Sequence, residues 1–436
     1  MIRPKPLAGL DPRFALVFIF VFTALIPHRY LVLPGSDSAF DYILLLIRFL
    51  PVAIISLLIA SCVFREGLPS VLRSMAASPG AIWLACLVVS GTMSIWNATN
   101  PAFSFTRTLY YFPSGILLYF LFLHHLRKES EILSFSLVIF FSGVAVGVYG
   151  ILEFFIGRNI LFEAIFTADN PLYYQLAQSG YKWRILSTIG HPVYAGTFLM
   201  VCLPLGLYHY VVAPSLKAKS LWSLGIAVVM ITLFLTFTRG AWIGALASLF
   251  FVLRRHSRVY KLLILIILVG SVGILVQRDR MLPILRTRNP WNEVGREDAF
   301  GFRVLAYWHA SKVVEKQPLF GMGTGNYRYL PRNRGEQSDT PDNMYLRILA
   351  ENGLFGLVSL VAVLAFVLRA CLVGSRKAGA SGDLSWAFGA GFVGFYIDML
   401  TCDALYFPTT RILFWSLAGL GVGLSNIETE DKQRIP

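Results

Sequence analysis

The sequence predicts an all-α polytopic membrane protein of about twelve transmembrane helices, with one large helical loop outside the membrane. Three observations carry this. The chain is 56% hydrophobic with a mean hydropathy of +0.64, too apolar for a soluble globule of its size. Its apolar runs recur near the length that crosses ~30 Å of hydrocarbon. Its cationic residues collect in short segments between those runs.

Taken in order, the apolar runs centre on 14–33, 41–64, 81–98, 106–124, 131–156, 191–212, 221–238, 241–254, 260–277, 353–372, 384–402 and 410–425. Arg3 and Lys5 before the first run give it the flavour of a signal peptide. No small-residue cleavage site follows, so it is expected to stay as a first span, interrupted by Pro27. The seventh and eighth runs must turn tightly at Thr238-Arg239-Gly240. With the N-terminus inside, the inner loops carry Arg65 and Arg73, Arg127 and Lys128, Lys217 and Lys219, Arg254, Arg255, Arg258 and Lys261, then Arg376 and Lys377. The short outer loops carry little beyond Arg107. This bias places both termini in the cytoplasm.

The net charge of +14 is therefore topological, and implies no nucleic-acid partner. Cys62, Cys86, Cys202, Cys371 and Cys402 lie in or beside apolar runs, with no CxxC and no metal spacing; they read as packing residues.

Two outer segments stand out. Residues 157–190 are aromatic and polar, and 278–345 form a long basic insert. The chain thus divides into a membrane domain of spans 1–9 (1–277), a large outer loop (278–352), and spans 10–12 with a cytoplasmic tail (353–436). Within the loop, Phe300–Lys316 reads as an amphipathic helix with Phe302, Leu305, Ala306 and Val313 on one face. Pro318 stops it, glycines 321, 323 and 325 follow, and a second helix starts near Pro341 and enters the membrane. Gly321-x-Gly-x-Gly325 lacks the preceding strand of a nucleotide site; close backbone packing is its expected use.

Several charged residues are candidates for chemistry. Arg239, flanked by Gly240 and Trp242 at the outer interface, suits a guanidinium offered bidentately to a lipid phosphate, or one that only snorkels. Arg303 offers a second cation on the loop helix. Arg48 lies two turns inside its span, and Glu153 and Asp398 are acids at membrane depth; each either lines a polar cavity or pairs with another charge. Arg184 and His191 either line a substrate cleft or serve plain helix entry, as His191-Pro192 would at a helix start.

Thr238-Arg-Gly-Ala-Trp-Ile-Gly244, Arg303 before Pro318-Leu-Phe-Gly-Met-Gly323, and Asp342-Asn-Met-Tyr-Leu346 with Glu351-Asn-Gly-Leu-Phe-Gly356 together resemble the O-antigen ligase and O-antigen polymerase superfamily, over residues 184–356. The resemblance implies transfer of a glycan from a polyprenyl-diphosphate (undecaprenyl-type) carrier to an acceptor hydroxyl, on lipid A core or on another lipid-linked glycan. It also implies inversion at the anomeric carbon, with no metal, no cofactor and no nucleotide sugar. Arg239 and Arg303 match the positions of family arginines that hold the diphosphate. Asp342-Asn343 stands where many ligases have His-Asn, with the histidine assigned as base. Aspartate, with a reference pKa of about 3.9 against about 6.5, is the weaker base. Asp342 is expected either to serve as base, or to position the site while His191 or His309 supplies the base, or to mark a polymerase-like branch. A lipid-linked-glycan flippase is the rival class, but the spans show no internal two-fold repetition. A non-catalytic assembly scaffold is the third.

Overall fold

The computed structural model describes residues 11–26, 39–165, 184–256, 299–330 and 340–427. The expected ninth span at 260–277, Pro27 and most of the 157–190 loop lie outside them. The described residues form helices α1 (Pro12–Leu25), α2 (Ala39–Glu66), α3 (Leu68–Ala76), α4 (Ala81–Ser94), α5 (Pro101–Tyr111), α6 (Pro113–His125), α7 (Glu129–Ile156) and α8 (Ile160–Ile165). They continue as α9 (Pro192–Val212), α10 (Leu216–Leu235), α11 (Arg239–Leu253), α12 (Ala299–Lys316), α13 (Met344–Gly374), α14 (Ala380–Asp398) and α15 (Pro408–Asn426). Their starts follow local chemistry. Asn100, Ser215 and Asn343 cap α5, α10 and α13 through their side chains, and proline opens α1, α5, α6, α9 and α15, where a missing N–H costs nothing.

Four described helices, α7, α9, α10 and α13, are long and apolar enough to cross a membrane, or five if α2 and α3, bent by 111°, count as one span. That is fewer than the twelve runs of the sequence. The expected fourth span divides at Phe112 into α5 and α6, and α1, α4 and α11 are short. Helices α14 and α15 are rich in glycine, serine and threonine. They need no apolar exterior, because α15 is enclosed along nearly its whole length by other helices.

The bundle is built around α9, which is buried over most of its length and packs on α7, α10, α11 and α14. Small residues set the spacing, as expected where helices gain little from hydrophobic exclusion. Gly143 meets Cys202, Gly206 meets Phe140, and Gly244 lies against the Gly394 backbone beside Met200. Gly115 packs on Trp415 and Gly419 on Phe122, joining α6 to α15 side by side. Cys62, Cys202, Cys371 and Cys402 are buried and Cys86 half-buried, all free thiols, in accord with a packing role. A second, smaller core of Ala310, Val313, Met322, Tyr327 and Ala350 fastens α12 to the start of α13.

The two ends of the bundle differ in content. One gathers residues 97–112, 184–191, 236–239, 321–330, 342–347 and 398–411. The other gathers the segments that carry Arg65, Arg73, Arg127, Lys128, Lys217, Lys219, Arg255, Arg376 and Lys377.

Candidate functional site

The site begins at the turn between α10 and α11. Phe237 takes φ +50, and Thr236 to Thr238 reverse the chain in three residues, the tight turn the sequence required. Arg184 braces it: its Nε donates to the Thr236 carbonyl at 2.9 Å and an Nη to Thr238 Oγ1 at 3.0 Å. Thr238 Oγ1 in turn donates to the Pro192 carbonyl at 3.0 Å, tying the turn to the start of α9. Arg239 is the first residue of α11 and is exposed, so its guanidinium projects from a helix N-terminus. A backbone dipole of that sign and a fixed cation both favour an anion. His191 caps α9 by accepting the Val193 N–H at Nδ1 over 3.3 Å, and its ring lies against Tyr194 at 4.8 Å. The plain capping role is thus present, and that nitrogen's lone pair is engaged.

Asp342 and Asn343 stand at the start of α13. Asp342 holds φ +47, a left-handed conformation that Asp and Asn tolerate better than other side chains, and it accepts from Thr340 Oγ1 at 3.0 Å. Asn343 caps α13 by accepting the Leu346 N–H at 3.0 Å and reaches Tyr307 of α12 through Nδ2 at 3.4 Å. Arg303 sits one helical turn before Tyr307 on α12; its side chain is outside the described residues.

Both regions pack on one turn, residues 398–401 at the end of α14. Met344 N–H donates to the Met399 carbonyl at 2.9 Å. From the other side Gly240 fits so closely that a Cβ there would lie 1.8 Å from Thr401 Oγ1 and 2.9 Å from Asp398 Oδ1. Thr197 of α9 completes the arrangement, donating to Asp398 Oδ2 at 2.5 Å. The 398–401 turn thus touches the neighbours of Arg239 and Asn343, while Arg184 and Pro192, next to His191, are tied to the 236–238 turn that precedes Arg239.

Beneath lies a buried ionic cluster that the sequence reading did not single out. Arg347 Nε donates to Glu351 Oε1 at 3.1 Å, and its Nη1 bonds Asp403. Its guanidinium also stacks 3.9 Å over the Tyr406 ring. Tyr406 Oη and the Gly325 N–H donate to Glu351 Oε2 at 2.7 and 2.8 Å, and Tyr194 Oη donates to Asp403 Oδ1 at 2.6 Å. Two carboxylates in a dry place require this many donors. The sequence offered the pair, Arg347 and Glu351 four apart on one helix, but no signal of its burial. The glycine segment serves this cluster. Gly321 packs on the Ala350–Asn352 backbone, and Gly353 breaks α13 at φ +69 beneath the Leu319 carbonyl. The expected packing use of these glycines is what the structure shows.

The remaining candidates are placed as follows. Glu153 pairs with no cation among the described residues; it accepts the Leu186 and Ser187 N–H groups at 3.0 and 2.7 Å and so shapes the loop carrying Arg184. Asp398 is held by Thr197 and by the Cys402 thiol at 3.4 Å. Arg48 lies on α2, its side chain outside the described residues. His309 is half-buried on α12 against Trp308. No group of His, Cys, Asp and Glu suited to a metal occurs among the described residues.

No curated protein matches the chain. A family model described as O-antigen ligase matches residues 221–361, a stretch that includes Arg239, Arg303, Asp342, Asn343 and Glu351 and leaves out Arg48, Arg184 and His191. Over residues 221–361 the chain is thus similar to the O-antigen ligase family.

Proposed function

We propose that the protein transfers a glycan from a polyprenyl-diphosphate carrier to an acceptor hydroxyl at the outer face of the cytoplasmic membrane, without a metal and with inversion. The observation that carries this reading is that the neighbours of Arg239 and of the Asp342-Asn343 pair pack on one turn, 398–401, while Arg184 and Pro192, next to His191, hold the turn that presents Arg239. An exposed guanidinium at a helix N-terminus suits a diphosphate whose charge grows as the glycosidic bond breaks. Arg303, one turn from the Tyr307 that meets Asn343, supplies the second cation in this scheme. Arg184 is a positioning residue, since its donors hold the turn that presents Arg239. Asp342 either takes the proton of the acceptor hydroxyl or orients the acceptor. Because aspartate stands here where many ligases have histidine, the second reading is a polymerase, whose acceptor is another lipid-linked glycan.

The test is transfer in vitro by purified protein in detergent, given a polyprenyl-diphosphate glycan with lipid A core or a second lipid-linked glycan. Arg239→Ala or Arg303→Ala is expected to slow transfer by about 10²–10³, the range for removing one charge-stabilising donor. Asp342→Ala should abolish it, while His191→Ala and His309→Ala retain most of it. Full activity after loss of both arginines would refute the diphosphate site. Product on lipid A core identifies a ligase, and a lengthened lipid-linked glycan a polymerase.

A further inference from the structure

A second cationic place lies away from the 398–401 turn, where α5 and α6 meet α15. Arg411 is in the first turn of α15 and only 4% exposed. Its guanidinium stacks over Tyr110 at 4.2 Å and lies 5.4 Å from the Tyr111 ring. Its Nη1 is buried with no hydrogen-bond partner, and it forms no ion pair among the described residues. Arg107 also approaches Tyr111, its Cζ 5.9 Å from the ring and its Nη1 3.5 Å from Tyr111 Oη. It likewise has no carboxylate partner among the described residues.

Three unfavourable terms therefore coincide. A buried cation lacks a counter-ion, it sits at the positive end of a helix dipole, and a second cation stands beside the same tyrosine. Stacking on tyrosine offsets only a part of this. Arg347, close by, shows how the same chain treats a buried guanidinium it keeps for itself, with two carboxylates.

Arg411 lines a small cleft with Ser114, Trp415 and Pro51, Val52 and Ile55 of α2. The free space is about 30 Å³, room for a water, so a larger anion enters only if the α2 wall moves outward. That wall carries Pro51 inside the helix, which deletes one backbone hydrogen bond at that point. Ala53, Ser56 and Leu57 on the opposite face of α2 are exposed, so a single helix separates the cleft from the bundle's surroundings.

We infer that Arg411, with Arg107 beside the same Tyr111, binds a phosphate group carried by a membrane lipid that enters beside α2. The inference does not depend on the transfer reading, because binding is read without turnover. The full chain in neutral detergent is titrated with phosphatidylglycerol and, separately, with geranylgeranyl diphosphate, and bound lipid is counted by native mass spectrometry. The series is repeated on Arg239→Ala so that the proposed donor site does not contribute. Arg411→Gln is expected to weaken binding at least tenfold and Arg411→Lys to retain most of it. Ser114→Glu, which places a carboxylate in the cleft and satisfies the guanidinium internally, should abolish binding while keeping the fold. Stronger binding of geranylgeranyl diphosphate makes the source a polyprenyl carrier, and equal binding makes it bulk anionic lipid. Absence of binding by the wild type, or unchanged binding in both Arg411→Gln and Ser114→Glu, overturns the inference.

Discussion

The two ends of the bundle use charge in opposite ways. At the site end, Arg347, Glu351 and Asp403 are dry and every oxygen is engaged by a tyrosine, a backbone N–H or the guanidinium. At the other end the pairs are wet. Arg13 meets Glu131 with the arginine side chain 53% exposed, and Arg255 meets Asp383 with both partly open to solvent. The dry cluster cannot shift without stranding a charge, so it fixes the break in α13 and the loop below the site. The wet pairs hold helix ends loosely, in segments that carry an excess of cations.

The largest expected effect is at the dry cluster. Arg347→Met leaves two carboxylates facing one another and should destabilise the fold by about 3–5 kcal/mol, the cost of breaking a buried pair. Thermal unfolding in detergent reads it. A shift as small as that of a surface pair would mean water reaches the cluster.

Glycine sharpens the contrast. Gly353 and Gly379 share a backbone conformation that only glycine adopts freely, at φ +69 and φ +77. A Cβ at Gly353 would lie 2.2 Å from the Leu319 carbonyl, whereas one at Gly379, at the wet end, meets nothing within 4 Å. Gly379→Ala should cost on the order of 1–3 kcal/mol from the backbone alone. Gly353→Ala should cost more and also lower transfer, since the collision displaces the α13 break. Equal melting shifts for the two would contradict the tight packing assigned to the 319–325 segment.

These contrasts also explain what was legible in the sequence. The α10–α11 turn, the α12 helix and the start of α13 follow from Thr238-Arg239-Gly240, from the Phe300–Lys316 pattern and from Asp342-Asn343, because caps and periodicity are local. Arg347 and Arg411 were not legible as buried. An arginine four residues before a glutamate reads as a solvated helix pair until Asp403, from another helix connection, is brought against it. The division of the fourth span at Phe112 was hidden because the apolar run at 106–124 continues across it, whereas the short α11 matches the equally short run at 241–254. Glu153 shows the converse. Its place at membrane depth was visible, but its partners, two backbone N–H groups from the loop at 186–187, depend on a chain reversal no local pattern encodes.

The smallest effects belong to the wet end. Arg255→Gln removes a pair at 2.7 Å that is partly solvated, and should cost at most about 1 kcal/mol. Its neighbour His256 adds a pH dependence. Burial pushes the imidazole below its ordinary range; Asp383, 3.5 Å away, opposes this and Arg255 adds to it. A histidine whose folded-state pKa is lowered favours the neutral ring, so its contribution is complete above the ordinary value of about 6.5 and declines as pH falls below it. Melting temperature should therefore drop slightly on acidification through that range. His256→Gln should flatten the drop, and Arg255→Gln should reduce it, because removing the nearby cation lets Asp383 raise the imidazole toward its ordinary range. A pH profile unchanged by either substitution would show that the wet end does not hold this histidine neutral, and would weaken the distinction between the two ends from its less ordered side.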